Sequence, residues 1–236
     1  MGIITLYHGS SNIIKEPKYG EAKKKNDFGI GFYTTTNIER AKEWACYWDV
    51  DGYANKYEFK TDNLKIINLQ KSPYTLLNWI GTILKYRKPK SLSGKPLAVC
   101  DFLIEKYAVK EIEEVDVICG YRADDSYFNF AKRFVTDQLA LDDLEQAMRK
   151  GNLGEQLVLK SQKAFEQICF QKAIKARKDI YYDKYINREQ EATRQVKELT
   201  NKGYDSNLTY ASNIYDNGGV DDDGNKKRGN IPGTLA

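Results

Sequence analysis

The chain contains few of the residues on which metal sites and disulfide frameworks depend. Histidine occurs once in 236 residues, at position 8, and the four cysteines show no paired spacing (Cys46, Cys100, Cys119 and Cys169). A structural zinc site needs about four Cys or His ligands, usually in close pairs, so we expect no metal. Unpaired cysteines are typical of free thiols in a reducing compartment, which predicts a cytoplasmic protein.

Long hydrophobic runs are also lacking. No stretch approaches the roughly 20 apolar residues that a helix needs to span a bilayer, so we expect no membrane partner. Residues 1–6 carry neither a basic leader nor a cleavage site, and they predict a first strand rather than a signal peptide. Neither G-x-G-x-x-G nor a P-loop occurs, which argues against the two common glycine-based nucleotide sites.

The charge balance is mild. The chain carries 37 Lys and Arg against 33 Asp and Glu, which permits contact with nucleic acid without demanding it. Three basic clusters, at residues 23–25, 87–90 and 175–178, are interpreted as solvated faces rather than phosphate-binding patches. Hydrophobic residues make up 41% of the chain, which is enough for a globular protein of this length to bury a core.

Hydrophobic periodicity predicts short strands interrupted by helices. The predicted strands cover residues 3–7, 32–35, 55–59, 64–69, 115–121, 156–160 and 168–174. The predicted helices cover residues 38–47, 74–86, 97–107, 137–150 and 178–200, with a short helix after Ser161 and another after Asp125. Many short strands among interspersed helices are typical of an α+β fold rather than of a doubly wound sheet.

The helix predicted at residues 38–47 has a capping residue and one apolar face. Asn37 precedes it and is a favourable N-cap. Four apolar side chains then fall at i, i+3, i+4 and i+7 and predict one buried stripe (Ala41, Trp44, Ala45 and Trp48). Because the stripe is complete without a ligand, Trp44 is first interpreted as a core anchor.

The composition changes after residue 178. We predict one domain over residues 1–178, then a charged helix over 179–200 with few apolar contacts (Ile180, Tyr185, Ile186 and Val196). Residues 201–236 hold too few apolar side chains to pack and are predicted to form a flexible tail.

The most informative feature is the position of the lone histidine. It stands in Leu6-Tyr7-His8-Gly9-Ser10, at the end of the first predicted strand, where a histidine by itself is more often a structural hydrogen bonder. About twenty residues later, residues 28–35 form a glycine-flanked aromatic strand, Phe-Gly-Ile-Gly-Phe-Tyr-Thr-Thr. Aromatic faces attract cationic rings, and glycine allows close backbone approach. The two blocks together favour a pocket for a flat cationic ring attached to a ribose.

These two blocks resemble the poly(ADP-ribose) polymerase and diphtheria-toxin branch of the ADP-ribosyltransferases. That branch carries a His, Tyr, Glu triad spread over three strands of a split, mostly antiparallel sheet. The resemblance implies NAD as the substrate, with no metal. It assigns His8 to a ribose, the backbone of Gly9 to the nicotinamide amide and Tyr33 to the nicotinamide ring. Ser10 is a further candidate hydroxyl contact, and Trp44 is a candidate wall for the ring.

The third triad position departs from the family pattern. Gln156 stands where the family has a glutamate, and Glu155 precedes it. Adjacent strand residues face opposite sides of a sheet, so only one of them enters the site, and we choose Gln156 with Glu155 as the alternative. The stretch Ala123-Asp124-Asp125 resembles one found in an uncharacterised bacterial and phage-associated family of transferase-like domains. Asp124 or Asp125 either supplies the missing charge or caps the following helix.

The resemblance implies a mono-ADP-ribosyltransferase of toxin or phage-defence type that modifies a macromolecule and releases nicotinamide. The acceptor is protein or nucleic acid, and the sequence leaves this choice and the oligomeric state open. An uncharged Gln156 contributes little as a general base, which keeps two alternatives. One is a catalytically inactive module that binds NAD, ADP-ribose or a protein partner, and the other is an NAD glycohydrolase.

Overall fold

The computed structural model describes residues 2–21, 26–123, 125–150 and 154–220, and it confirms the α+β fold. The strands are β1 (Ile3–Ser10), β2 (Phe32–Thr34), β3 (Gly52–Lys60), β4 (Ile66–Asn68), β5 (Val117–Tyr121), β6 (Glu155–Leu159) and β7 (Ile168–Ala176). The helices are α1 (Ile38–Ala45), α2 (Leu76–Arg87), α3 (Gly94–Tyr107), α4 (Asp125–Val135), α5 (Leu141–Lys150), α6 (Gln162–Glu166), α7 (Lys178–Thr200) and α8 (Ala211–Asp216).

The strands form two small sheets. One has the order β1-β3-β7 and the other has the order β2-β6-β5-β4. Every pairing within them is antiparallel except that of β4 with β5, so the predicted mostly antiparallel arrangement is confirmed. The sheets are joined where Tyr7 and Thr35 exchange two backbone hydrogen bonds, of 2.8 and 2.9 Å. Beyond this bridge β1 and β2 part, and the last residues of β1 have an open edge.

Three clusters of buried hydrophobic residues lie in the described part of the chain, and the two larger ones hold the fold. The larger one packs helices against the β2-β6-β5-β4 sheet and includes the fully buried Trp79, Phe130 and Phe134. The smaller one fills the space between the sheets, with Leu6 and Phe59 on one side and Leu159 among the residues on the other. Since apolar burial is the main stabilising term, the second cluster determines how the sheets meet.

Helix α1 is shorter than predicted. Asn37 caps it, because its Oδ1 accepts hydrogen bonds from the backbone N–H groups of Glu39 and Arg40, at 2.9 and 3.2 Å. The helix ends at Ala45 rather than at residue 47, and Trp48 is 74% exposed. The prediction that Trp48 extends the buried stripe is therefore wrong, because the chain has left the helix before reaching it.

Part of the predicted tail packs onto the domain. Helix α8 places Ala211 and Ile214 in the larger core cluster, and the backbone N–H of Leu141 donates to Thr209 O at 2.7 Å. The prediction of a flexible tail is wrong for this helix, since its few apolar side chains share one buried side. Residues 221–236 lie outside the described residues.

The charged helix is confirmed as α7. It buries Tyr185, Ala192 and Val196, whereas Ile180 is exposed. No helix within the described residues is long and apolar enough to cross a membrane.

Candidate functional site

An open cavity of about 920 Å³ lies where the two sheets part. Its wall is formed by the end of β1, by β2, by α1, by β6 and by the connection from β1 to β2. It brings together six of the predicted site residues (His8, Gly9, Ser10, Tyr33, Trp44 and Gln156). Asp124 lies outside the described residues, and Asp125 begins α4 with a side chain that is likewise outside the description.

The lone imidazole is held in one orientation. His8 Nδ1 lies 2.7 Å from Tyr33 O, and because a carbonyl only accepts, Nδ1 carries the proton. The ring stacks on Phe32 with centroids 4.5 Å apart. Burial lowers the pKa of His8, and the hydrogen bond to the Tyr33 carbonyl opposes that shift. The neutral imidazole therefore keeps Nε2 as an acceptor for a ligand hydroxyl.

The pKa of His8 leads to a test. A histidine that resists protonation in the folded state binds fewer protons than the unfolded chain, so stability falls as the pH drops below the ordinary value of 6.5. Since this is the only histidine, one imidazole NMR signal is expected to titrate below 6.5. His8→Asn, which retains an N–H donor, is expected to lose the pH dependence of the unfolding free energy in this range. A titration midpoint at or above 6.5 would contradict the burial argument.

Gly9 serves both the cavity and the packing of α1. A Cβ at this position would lie 2.0 Å from Ala41 O and 2.8 Å from Ala45 N, so the glycine allows the helix to approach β1. Backbone groups alternate in direction along a strand. The backbone N–H and C=O of Tyr7 bond to Thr35 of the other sheet, on the side of β1 away from β3. Since Gly9 is two residues further on, its N–H and C=O point to the same side of β1, where the edge is open. They form a donor and an acceptor side by side in the cavity wall.

Ser10 follows on the same strand. Its Oγ accepts a hydrogen bond from the backbone N–H of Asn12 at 3.1 Å. The hydroxyl thus helps to shape the turn after β1 and retains its own proton for a further contact.

Tyr33 is anchored by its hydroxyl. The phenol accepts from the backbone N–H of Phe28 at 2.9 Å and donates to Gly29 O at 2.8 Å. Burial raises the pKa of Tyr33, and the neighbouring Asp27 raises it further. Gly29 has a φ of 73°, a left-handed conformation that glycine adopts without strain. The neutral phenol therefore fixes the loop before β2 and holds its ring in the cavity wall.

Trp44 lines the cavity on the side of α1. Its indole Nε1 is buried and has no hydrogen-bond partner among the described residues. A buried N–H without a partner costs about 1–3 kcal/mol, which favours a ligand acceptor at this position. The guanidinium carbon of Arg122 lies 4.2 Å from the centroid of the indole ring, and Arg122 also lines the cavity.

Positions 155 and 156 are placed on opposite sides of β6. Gln156 is 2% exposed and lines the cavity, where its Nε2 donates to Asp27 Oδ2 at 3.0 Å and to Tyr121 O at 3.2 Å. Glu155 is absent from the cavity wall, and its Oε1 accepts from Asn68 Nδ2 at 3.3 Å. Of these two residues, Gln156 is the one whose side chain faces the cavity.

Asp27 and Arg87 are two of the cavity residues to which the sequence analysis gave no role in the site. Asp27 is 6% exposed, and its Oδ1 lies 2.7 Å from Arg87 Nη1. Arg87 had been included in a solvated basic cluster, which is wrong for this side chain, since its guanidinium stacks over Phe128 and bonds to Ala123 O. The signal for Asp27 was weak: a lone carboxylate immediately before the glycine-flanked strand.

The fold and the site define an α+β protein with a ligand-sized cavity at the parting of two small sheets. The chain belongs to the family described as "Protein of unknown function (DUF3990)", whose family model matches residues 4–170. No curated protein and no solved structure matches the chain. The matched segment includes every residue of the cavity wall and leaves out α7 and α8.

Proposed function

We propose that this protein is an NAD-dependent mono-ADP-ribosyltransferase. It would transfer ADP-ribose to a protein or nucleic acid and release nicotinamide, as a toxin or in phage defence. The observation that carries the proposal is the meeting of His8, the Gly9 backbone, Tyr33 and Gln156 in one cavity, from separate parts of the chain. It also rests on the resemblance of the first two motifs to the ADP-ribosyltransferases.

The cavity offers a complementary group for each part of a nicotinamide riboside. A carboxamide has one acceptor and one donating amino group, which match the N–H and C=O of Gly9. The ring of Tyr33 suits a cationic pyridinium. His8 Nε2 accepts from a ribose hydroxyl. Ligand pockets have volumes of about 300–1,000 Å³, and this cavity of about 920 Å³ is large enough for a dinucleotide.

The proposed reaction breaks the bond between the ribose C1′ and the nicotinamide nitrogen. The bonding electrons leave with nicotinamide, the sugar gains oxocarbenium character, and an acceptor oxygen or nitrogen bonds to C1′ and loses its proton to solvent. Aromatic and hydrogen-bonding groups that hold the ring promote this step by positioning. An uncharged Gln156 stabilises the cation less than a carboxylate would, which favours one transfer over chain growth.

A binding module is the second candidate function. Gln156 is neutral, and the carboxylate next to it is paired with Arg87, so the positive charge of the transition state meets little free negative charge there. Such a protein would recognise NAD, ADP-ribose or a protein partner without turnover. The third candidate function is that of an NAD glycohydrolase, in which water is the acceptor.

One incubation separates the three. The purified chain is mixed with NAD labelled in the adenosine part, together with protein and nucleic acid from a host lysate, and nicotinamide release is measured in parallel. Covalent label on a macromolecule supports the transferase. Nicotinamide with free ADP-ribose selects the glycohydrolase, and reversible retention without nicotinamide release selects the binding module.

The shared premise is NAD binding by His8 and Tyr33. Tyr33→Ala removes an aromatic face worth roughly 0.5–2 kcal/mol, so NAD affinity is expected to fall about twofold to thirtyfold. His8→Ala is expected to weaken binding by a similar factor through the loss of one hydrogen bond. Calorimetric titration with NAD measures the affinity of both variants.

A matched control is Tyr74→Ala. Tyr74 is half-buried, as Tyr33 is, and its hydroxyl donates to Glu111 Oε1 at 3.1 Å, but it does not line the cavity. It is expected to leave NAD affinity unchanged. Unaltered affinity in both His8→Ala and Tyr33→Ala would remove the proposal.

The proposed compartment is the cytoplasm. Cys46, Cys100, Cys119 and Cys169 are all free thiols, and the first three are buried. Burial raises the pKa of Cys100 to about 11 and of Cys119 to about 12, which keeps these thiols protonated and unreactive. Free cysteines are typical of a reducing environment.

A further inference from the structure

The side-chain amide of Gln156 has a determined orientation. Its Nε2 lies 3.0 Å from a carboxylate oxygen of Asp27 and 3.2 Å from the backbone oxygen of Tyr121. Both neighbours only accept hydrogen bonds, so the amino group must face them and both of its hydrogens are used. The carbonyl oxygen of the amide is therefore the group of Gln156 that remains for a ligand.

Asp27 is itself held by donors from three parts of the chain. Its Oδ2 accepts from Gln156 Nε2 and from the backbone N–H of Ala123 at 2.9 Å. Its Oδ1 lies 2.7 Å from Arg87 Nη1. The side chain is 8% exposed and lines the cavity. A carboxylate with three donors in a buried position cannot rotate without leaving several of them unpaired.

Resting on the proposed function, we infer that Asp27 is a positioning residue that turns the carbonyl oxygen of Gln156 toward a hydroxyl of the reacting NAD ribose. Asp27 acts through geometry, because the guanidinium of Arg87 neutralises its charge. The pair divides two tasks between two side chains. Asp27 fixes the orientation of the amide, and Gln156 presents the acceptor that meets the sugar.

This arrangement explains why position 156 is uncharged. A glutamate there would put a second carboxylate about 3 Å from that of Asp27, with two acceptors facing each other and no proton between them. Restoring the glutamate expected from the resemblance is therefore predicted to harm this site. Combining Asp27→Asn with Gln156→Glu keeps the total charge and again gives one donor facing one acceptor between positions 27 and 156. The new carboxylate still faces the backbone oxygen of Tyr121, and the new amide nitrogen faces the backbone N–H of Ala123, so these two contacts are lost in the double variant.

The test is a double-mutant cycle of Asp27→Asn, Gln156→Glu and the double variant, with two readouts. The first is the unfolding free energy from urea titration. The second is kcat and KM for nicotinamide release from NAD. Each single variant is expected to lower kcat/KM about tenfold to a hundredfold, the effect of losing one hydrogen bond to a charged group. The loss is expected in kcat more than in KM, because Gly9 and Tyr33 still hold nicotinamide.

The double variant is expected to recover part of both losses, so that its effect is smaller than the sum of the two single effects. A matched control is Asp116→Asn, since Asp116 also accepts several hydrogen bonds, from Lys65 N at 2.7 Å and from Ser161 Oγ, but lies away from the cavity. It is expected to lower stability while leaving kcat and KM unchanged. This separates positioning from a general loss of structure.

Additive effects in both readouts, or a Gln156→Glu variant as active as the unmodified protein, would overturn the inference. Failure of the proposed function gives a different result, because the unmodified protein would then neither bind nor turn over NAD. In that case the unfolding cycle alone decides: a favourable coupling between positions 27 and 156 supports the oriented pair, and additivity overturns it.

Discussion

Gly9→Ala is expected to destabilise the protein by about 3 kcal/mol or more, at the upper end of the cost of overpacking. The new Cβ would meet Ala41 O at 2.0 Å, Ala45 N at 2.8 Å and the Cβ of Trp44 at 2.8 Å. These are backbone atoms and the first atom of a side chain, so no rotamer change removes the collision. Helix α1 and the end of β1 must separate, which displaces two walls of the cavity.

The measurement is urea unfolding together with NAD titration. Under the proposed function, the variant also loses NAD affinity, since the Gly9 backbone and Trp44 move apart. Ser10→Ala is the matched control on the same strand, where only the hydrogen bond to the backbone N–H of Asn12 is lost. It is expected to cost about 1 kcal/mol or less. A Gly9→Ala protein as stable as the unmodified one would show that α1 can retreat freely.

Glu43→Ala is expected to cost about 3–5 kcal/mol, because it leaves two buried arginines without their shared carboxylate. Arg40 Nη1 and Arg188 Nε lie 3.2 and 2.8 Å from Glu43 Oε2. The three side chains are only 9–11% exposed, so solvent screens the interaction little. Arg188 belongs to α7 and Glu43 to α1, and the variant is therefore expected to loosen the contact between these helices.

Limited proteolysis within α7 and urea unfolding measure this effect. Glu39→Ala provides a control one helical turn away, where Glu39 pairs with Lys42 and Lys184 but is 48% exposed. Exposed ion pairs contribute at most about 1 kcal/mol, so a small change is expected. Equal losses from the two variants would mean that burial does not set the strength of these pairs.

Local patterns predicted most elements, and they failed where distant parts of the chain meet. Helix α7 was predicted with its observed limits, and Asn37 was identified as the cap of α1. Helix α8 was missed, because its burial depends on α3, α4 and the larger core cluster rather than on its own few apolar residues. Trp48 was placed in the core, although α1 ends at Ala45 and the chain has left the helix before Trp48, which is exposed.

In the candidate site, too, residues with a local sequence signal were predicted, and residues whose partners are distant in the chain were missed. His8, Gly9 and Tyr33 were identified because strand ends, glycines and aromatic residues leave a signal over a few neighbouring positions. Asp27 had no assigned role, because its partners stand 60, 96 and 129 residues away. Gln156 was chosen over Glu155 from the sequence, and the structure places Gln156 on the cavity side of the strand, which alternation alone does not decide.

The sequence by itself determined the α+β class, most strands and helices, and the two motifs that flank the cavity, since periodicity and turn chemistry act over a few residues. Only the tertiary structure decided the orientation of the Gln156 amide, the pairing of Asp27 with Arg87 and the buried indole N–H of Trp44. These depend on hydrogen-bond distances of about 3 Å between side chains far apart in the chain, which no local pattern encodes.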